Sequence, residues 1–71
     1  MPLRQYLKGV TPEAARVMSD AYAGVCRRLD EAGQGDISTA RVAAKVAEVA
    51  VQDSTDAKRL ADKVFAALIP H

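Results

Sequence analysis

Cys26 and His71 are the only cysteine and the only histidine in the 71-residue chain. A nucleophilic thiol needs a nearby base that lowers its pKa, and a zinc site needs several such ligands. Cys26 falls in an apolar helical stripe, and His71 follows a proline in the last two residues. The acidic residues fall on polar helix faces, where they do not converge on a pocket. The sequence therefore predicts a buried structural thiol and a protein that is not an enzyme, with no metal or cofactor.

Residues 30–41, DEAGQGDISTAR, have the length of a calcium-binding loop between two helices. Asp30 and Asp36 fall on ligand positions of such a loop, and Gly35 falls on its sharp turn. The twelfth position, which calls for a bidentate glutamate, is Arg41, and a cation there opposes calcium binding. We expect an ordinary interhelical turn in this segment.

The composition excludes several classes of protein. An apolar fraction of 49% is too high for a disordered chain, and a formal net charge of +1 lacks the basic excess of a general nucleic-acid binder or a polybasic membrane anchor. No apolar run approaches the roughly 20 residues that span a bilayer. A lone thiol suits a reducing compartment, so we expect a cytoplasmic protein without a membrane segment.

The clearest helix signal begins at Thr11, a good N-cap that is followed by Pro12 at the first helical position. Apolar residues then recur in steps of three and one as far as Leu29, which predicts a helix over residues 11–32 that ends at Gly33. This stripe consists of Ala14, Val17, Met18, Ala21, Tyr22, Val25, Cys26 and Leu29.

Two further helices are predicted, over about residues 37–52 and over residues 55–69. The first of them has Asp36 or Ser38 as its N-cap. The second has several capping choices in its preceding link (Asp53, Ser54 and Thr55), with Asp56 placing negative charge at its positive end and Pro70 ending it.

Residues 1–10 read as a short N-terminal arm or helical turn that ends at Gly9. The whole chain, residues 1–71, is then one domain of the all-α class, a three-helix bundle with this arm. A core of this size seldom leaves more than about 3–5 kcal/mol of net stability without a disulfide, a metal or a partner chain.

The second helix has an unusually narrow polar side. Its polar residues Arg41, Lys45, Glu48 and Gln52 fall within roughly 60° of one another, and nearly all its other residues are Val or Ala. A helix that is apolar over most of its circumference is normally buried, so either the arm or a second chain must cover it. We predict a protein-interaction or regulatory module that forms a homodimer. The candidate interface residues are Leu3, Tyr6, Leu7, Val42, Val46, Val49 and Val51.

The alternative prediction is a small DNA-binding regulator. A helix-turn-helix drawn over residues 40–68 would make the third helix the reader, with Lys58, Arg59 and Lys63 available to DNA. Two acidic residues, Asp56 and Asp62, interrupt these cations, a pattern more typical of a solvated helix face. Nucleic acid therefore ranks second to a protein partner.

From residue 11 onward the chain resembles short, uncharacterised all-helical proteins from bacteria. The resemblance rests on the first-helix stripe from Ala21 to Leu29, on the segment VAAKVAEVA (residues 42–50) and on the segment LADKVFAAL (residues 60–68). It implies an all-helical fold, and it implies no activity and no functional residue.

Overall fold

The computed structural model describes residues 6–52 and 56–69, which form three α-helices packed as a bundle. Helix α1 spans Pro12–Glu31, α2 spans Thr39–Gln52 and α3 spans Ala57–Leu68. The predicted all-α three-helix bundle is thereby confirmed. Predictions that concern Leu3, the link residues 53–55, Pro70 and His71 lie outside the described residues.

Each helix begins at a side chain that accepts a hydrogen bond from the first turn. The Thr11 hydroxyl accepts from the Ala14 amide at 3.2 Å, and the Ser38 hydroxyl accepts from the Arg41 amide at the same distance. At α3 the cap is Asp56, whose carboxylate accepts from the Lys58 amide at 3.1 Å. The sequence predicts only a charge effect from Asp56, whereas the structure shows that it fills the capping position itself.

Gly33 ends α1, as its position in the sequence predicts. Its φ of +75° is the left-handed conformation that glycine adopts without strain. The Gly33 amide donates to the Asp30 carbonyl at 3.2 Å, and the Gln34 amide donates to the Leu29 carbonyl at 2.7 Å. These two bonds form a Schellman motif, which satisfies carbonyls that the end of the helix leaves open.

The core lies along the line where the three helices meet. It is apolar throughout, and Val25, Val46, Leu60 and Val64 within it are fully buried. Its members are Met18, Ala21, Val25 and Leu29 from α1, Val42, Ala43 and Val46 from α2, and Leu60, Ala61, Val64 and Leu68 from α3.

Helices α1 and α3 approach each other at two small residues. A Cβ placed on Gly24 of α1 would lie 3.8 Å from the Ala61 Cβ of α3, which is ordinary van der Waals contact. Residue 24 therefore has room for a methyl group, and a larger side chain would press on α3.

Gly24→Ala is expected to stabilise the protein by up to about 1 kcal/mol. The reason is that alanine has the higher helix propensity and its methyl group fits against Ala61. Gly24→Leu is the matched contrast and is expected to lower stability through overpacking. Urea unfolding followed by circular dichroism measures both, and a destabilised Gly24→Ala variant would contradict the room for a methyl group described at residue 24.

Candidate functional site

An apolar groove of about 230 Å³ opens between α1, α2 and the segment before α1. The first half of α1 and the second half of α2 form its walls, and residues 6–10 lie along its edge. It is lined by Tyr6, Val10, Ala14, Met18, Ala47, Ala50 and Val51. The groove exists because the residues that face it from the two helices, apart from Met18 and Val51, are alanines.

A turn places residues 6–10 beside this groove. The Val10 amide donates to the Leu7 carbonyl at 3.4 Å, and Gly9 has a φ of +81°. Tyr6 and Leu7 are half-buried and pack against the core, whereas Val10 is 37% exposed. The segment therefore covers part of the bundle and leaves the groove open.

The structure divides the predicted interface residues that it describes, which exclude Leu3, into three groups. Val42 and Val46 are buried in the core of the chain itself, at 1% and 0% exposure, so a partner could reach them only by opening the bundle. Tyr6, Leu7 and Val49 are half-buried against that core. Val51 is 87% exposed and stands at the groove. Of the candidate residues on α2, Val51 is thus the one that presents a free side chain.

A row of small apolar residues runs along α2 beside the groove. Ala40 and Ala44 are exposed there, Ala47 is half-buried, and Val51 completes the row. We call these four residues the outer face of α2. Their spacing of four, three and four is the heptad spacing of helices that pair with one another. The predicted interface does not include Ala40, Ala44 and Ala47, although their spacing is present in the sequence.

Charged side chains flank the outer face on one side. Arg41 and Glu48 are both exposed and lie seven residues apart, so they occupy equivalent positions two turns along the helix. Lys45 donates to the Glu48 carboxylate at 3.1 Å within the same helix. Two cations, Arg41 and Lys45, and one anion, Glu48, thus lie on this side of the outer face.

A second depression, of about 330 Å³, lies at the other end of the bundle, beside Cys26 and the turn after α1. Cys26 is only half-buried there, less than the sequence indicated. Burial nevertheless raises the pKa of its thiol, although a hydrogen bond with Tyr22 opposes that rise. Burial also raises the pKa of Tyr22, against a hydrogen bond from Thr39. A thiol that stays protonated at neutral pH is a poor nucleophile.

An ion pair on the surface links α3 to α1. Arg28 donates to the Asp62 carboxylate, a pair that bridges the two helices across the surface. The three cations of the alternative prediction, Lys58, Arg59 and Lys63, are exposed on the same helix.

Across the described ranges 6–52 and 56–69, no three acidic, histidine or cysteine side chains come together as a metal ion would require. None of the described helices has both the length and the apolar character needed to cross a bilayer. Comparison with family models, with curated proteins and with solved structures finds no match to this chain. The resemblance to short bacterial helical proteins stays a prediction.

Proposed function

We propose that the chain is a small, non-enzymatic protein-interaction module that self-associates through the apolar groove and the outer face of α2. The observation that carries the proposal is the position of Val51. It is 87% exposed, the most exposed large apolar side chain among the described residues, and it stands at the groove. An apolar side chain beside an apolar depression is typical of a docking surface.

The energetics favour covering this surface. Burying an exposed valine side chain contributes about 1.5 kcal/mol or more, and the groove walls add to that at about 25 cal/mol per Å². A domain of this size has a net stability of only about 3–5 kcal/mol. A partner that binds the folded state alone would therefore raise the stability by a large fraction, since binding and folding are linked.

Val51→Glu tests the proposal. On association the carboxylate would be buried without a partner. We therefore expect the dissociation constant of the variant dimer to be at least about tenfold higher than that of the unmodified dimer. Light scattering on a sizing column, at several loading concentrations, gives the molar mass of each protein.

Ala66→Glu is the matched control, because it adds the same charge to an exposed position on α3. It should leave the dimer intact. A monomer at all concentrations of the unmodified chain would overturn self-association, as would a dimer that Val51→Glu does not weaken.

The alternative prediction, DNA binding through α3, can be tested on the same sample. Binding to a mixed pool of DNA duplexes at low salt, lost at high salt, would indicate contacts with phosphates. That result together with a monomeric chain would replace the proposal with a DNA-binding regulator.

A further inference from the structure

We propose that the partner at this surface is a second copy of the chain whose α2 docks antiparallel to the first, about a two-fold axis. This inference rests on the proposed function and adds its geometry. It starts from the outer face of α2, in which Ala40, Ala44, Ala47 and Val51 follow heptad spacing. Helices with that spacing pair side by side, with the row of each facing the row of the other.

In an antiparallel pairing, alanines of one copy pack on alanines of the other, and Val51 also packs on an alanine. When Ala44 of one copy packs on Ala47 of the other, Ala40 of each copy packs on Val51 of the other. Alanine layers allow two helix axes to approach to about 8 Å, at the short end of the usual range. The first turn of the partner's α2 then lies over the mouth of the groove, because Val51 stands at the groove.

Charge complementarity favours a second copy over an unrelated helix. In the same register, Arg41 of one copy lies opposite Glu48 of the other, offset by two residues or roughly 3 Å along the axis. The two-fold axis repeats the contact, so the dimer has two such pairs. In a parallel pairing, Arg41 and Glu48 would not face each other. The edge that holds them would instead lie against the opposite edge of the other copy's α2, which holds Ala43 and Ala50. The order of the charges therefore selects the antiparallel arrangement.

Charge reversal tests the register. Arg41→Glu places a second carboxylate against Glu48 in both pairs, and Glu48→Arg places a second guanidinium against Arg41. Each variant alone is expected to weaken dimerisation about tenfold or more at low salt, since attraction becomes repulsion at two sites. An equimolar mixture of the two variants should form a heterodimer at least as stable as the unmodified dimer. The double variant Arg41→Glu/Glu48→Arg should also recover dimerisation. Sedimentation equilibrium gives the dissociation constants.

Lys45→Gln is the control, because it removes the pair between Lys45 and Glu48 within one helix and leaves Arg41 and Glu48 in place. It should dimerise normally, and circular dichroism should show the same helix content in every variant. If the single reversals dimerise normally, or the mixture and the double variant recover nothing, the antiparallel register is overturned. If the register is overturned in this way but Val51→Glu still dissociates the dimer, the proposed self-association stands and only the antiparallel geometry is rejected. A monomeric unmodified chain overturns both.

Discussion

Val46→Glu is expected to unfold the protein, whereas Val51→Glu is expected to leave it folded. The two valines lie five residues apart on α2, and the substitution is chemically the same. Val46 is fully buried among the three helices, while Val51 is 87% exposed. A carboxylate at residue 46 would lose its hydration without gaining a partner, at a cost on the order of 5 kcal/mol. That cost equals or exceeds the whole stability of a domain this small.

Circular dichroism and urea unfolding measure the difference between the two variants. At a protein concentration where both proteins are monomeric, Val51→Glu should change the free energy of unfolding by less than about 1 kcal/mol, because glutamate is a good helix former and the site is open to water. A folded Val46→Glu variant would show that α2 does not have the orientation described here. A Val51→Glu variant that unfolds as a monomer would contradict the exposure of residue 51.

Leu60→Ala is expected to cost about 2–5 kcal/mol, enough to leave much of the protein unfolded at physiological temperature. Leu60 is the largest of the fully buried side chains, so its truncation opens a cavity that the helices cannot readily fill. Thermal unfolding at several protein concentrations measures this loss and separates it from any change in dimerisation.

Leu7→Ala is the matched control, since it deletes the same atoms from a half-buried position before α1. We expect it to cost about 1 kcal/mol, because water already reaches part of that side chain. Equal losses at residues 7 and 60 would contradict the core as described, and no loss at residue 7 would show that the segment before α1 contributes nothing to stability.

The three helices, the caps of the first two and the end of α1 could be predicted from local chemistry, whereas the cap of α3 could not. Thr11 and Ser38 cap their helices because a hydroxyl before an apolar run accepts from the first turn. Gly33 ends α1 because it adopts a positive φ at low cost. Such signals act over three or four residues, so one sequence is enough to reveal them.

The orientation of α2 could not be predicted in the same way. Valine and alanine occur around most of its circumference, so the pattern does not say which arc meets α1 and α3. Val42, Val46 and Val51 read alike in the sequence, yet the first two enter the core and the third remains exposed. Packing against two other helices decides between them, and that is a property of the whole fold.

Contacts between distant parts of the chain could not be predicted from the sequence for the same reason. Arg28 and Asp62 are 34 positions apart, and they meet because α1 and α3 lie side by side. The groove likewise depends on where residues 6–10 come to rest against α1 and α2. Neither feature follows from local spacing.

The most direct test of the docking surface is a dilution series followed by nuclear magnetic resonance of the backbone amides. Signals of groups that become exposed on dissociation should move with concentration. We expect such changes along the outer face of α2 and around the groove, at residues 40–51 and 6–10, and little change across the exposed face of α3. Concentration-dependent shifts confined to α3, or no shifts from the micromolar to the millimolar range in a chain whose molar mass is that of a monomer, would contradict the account.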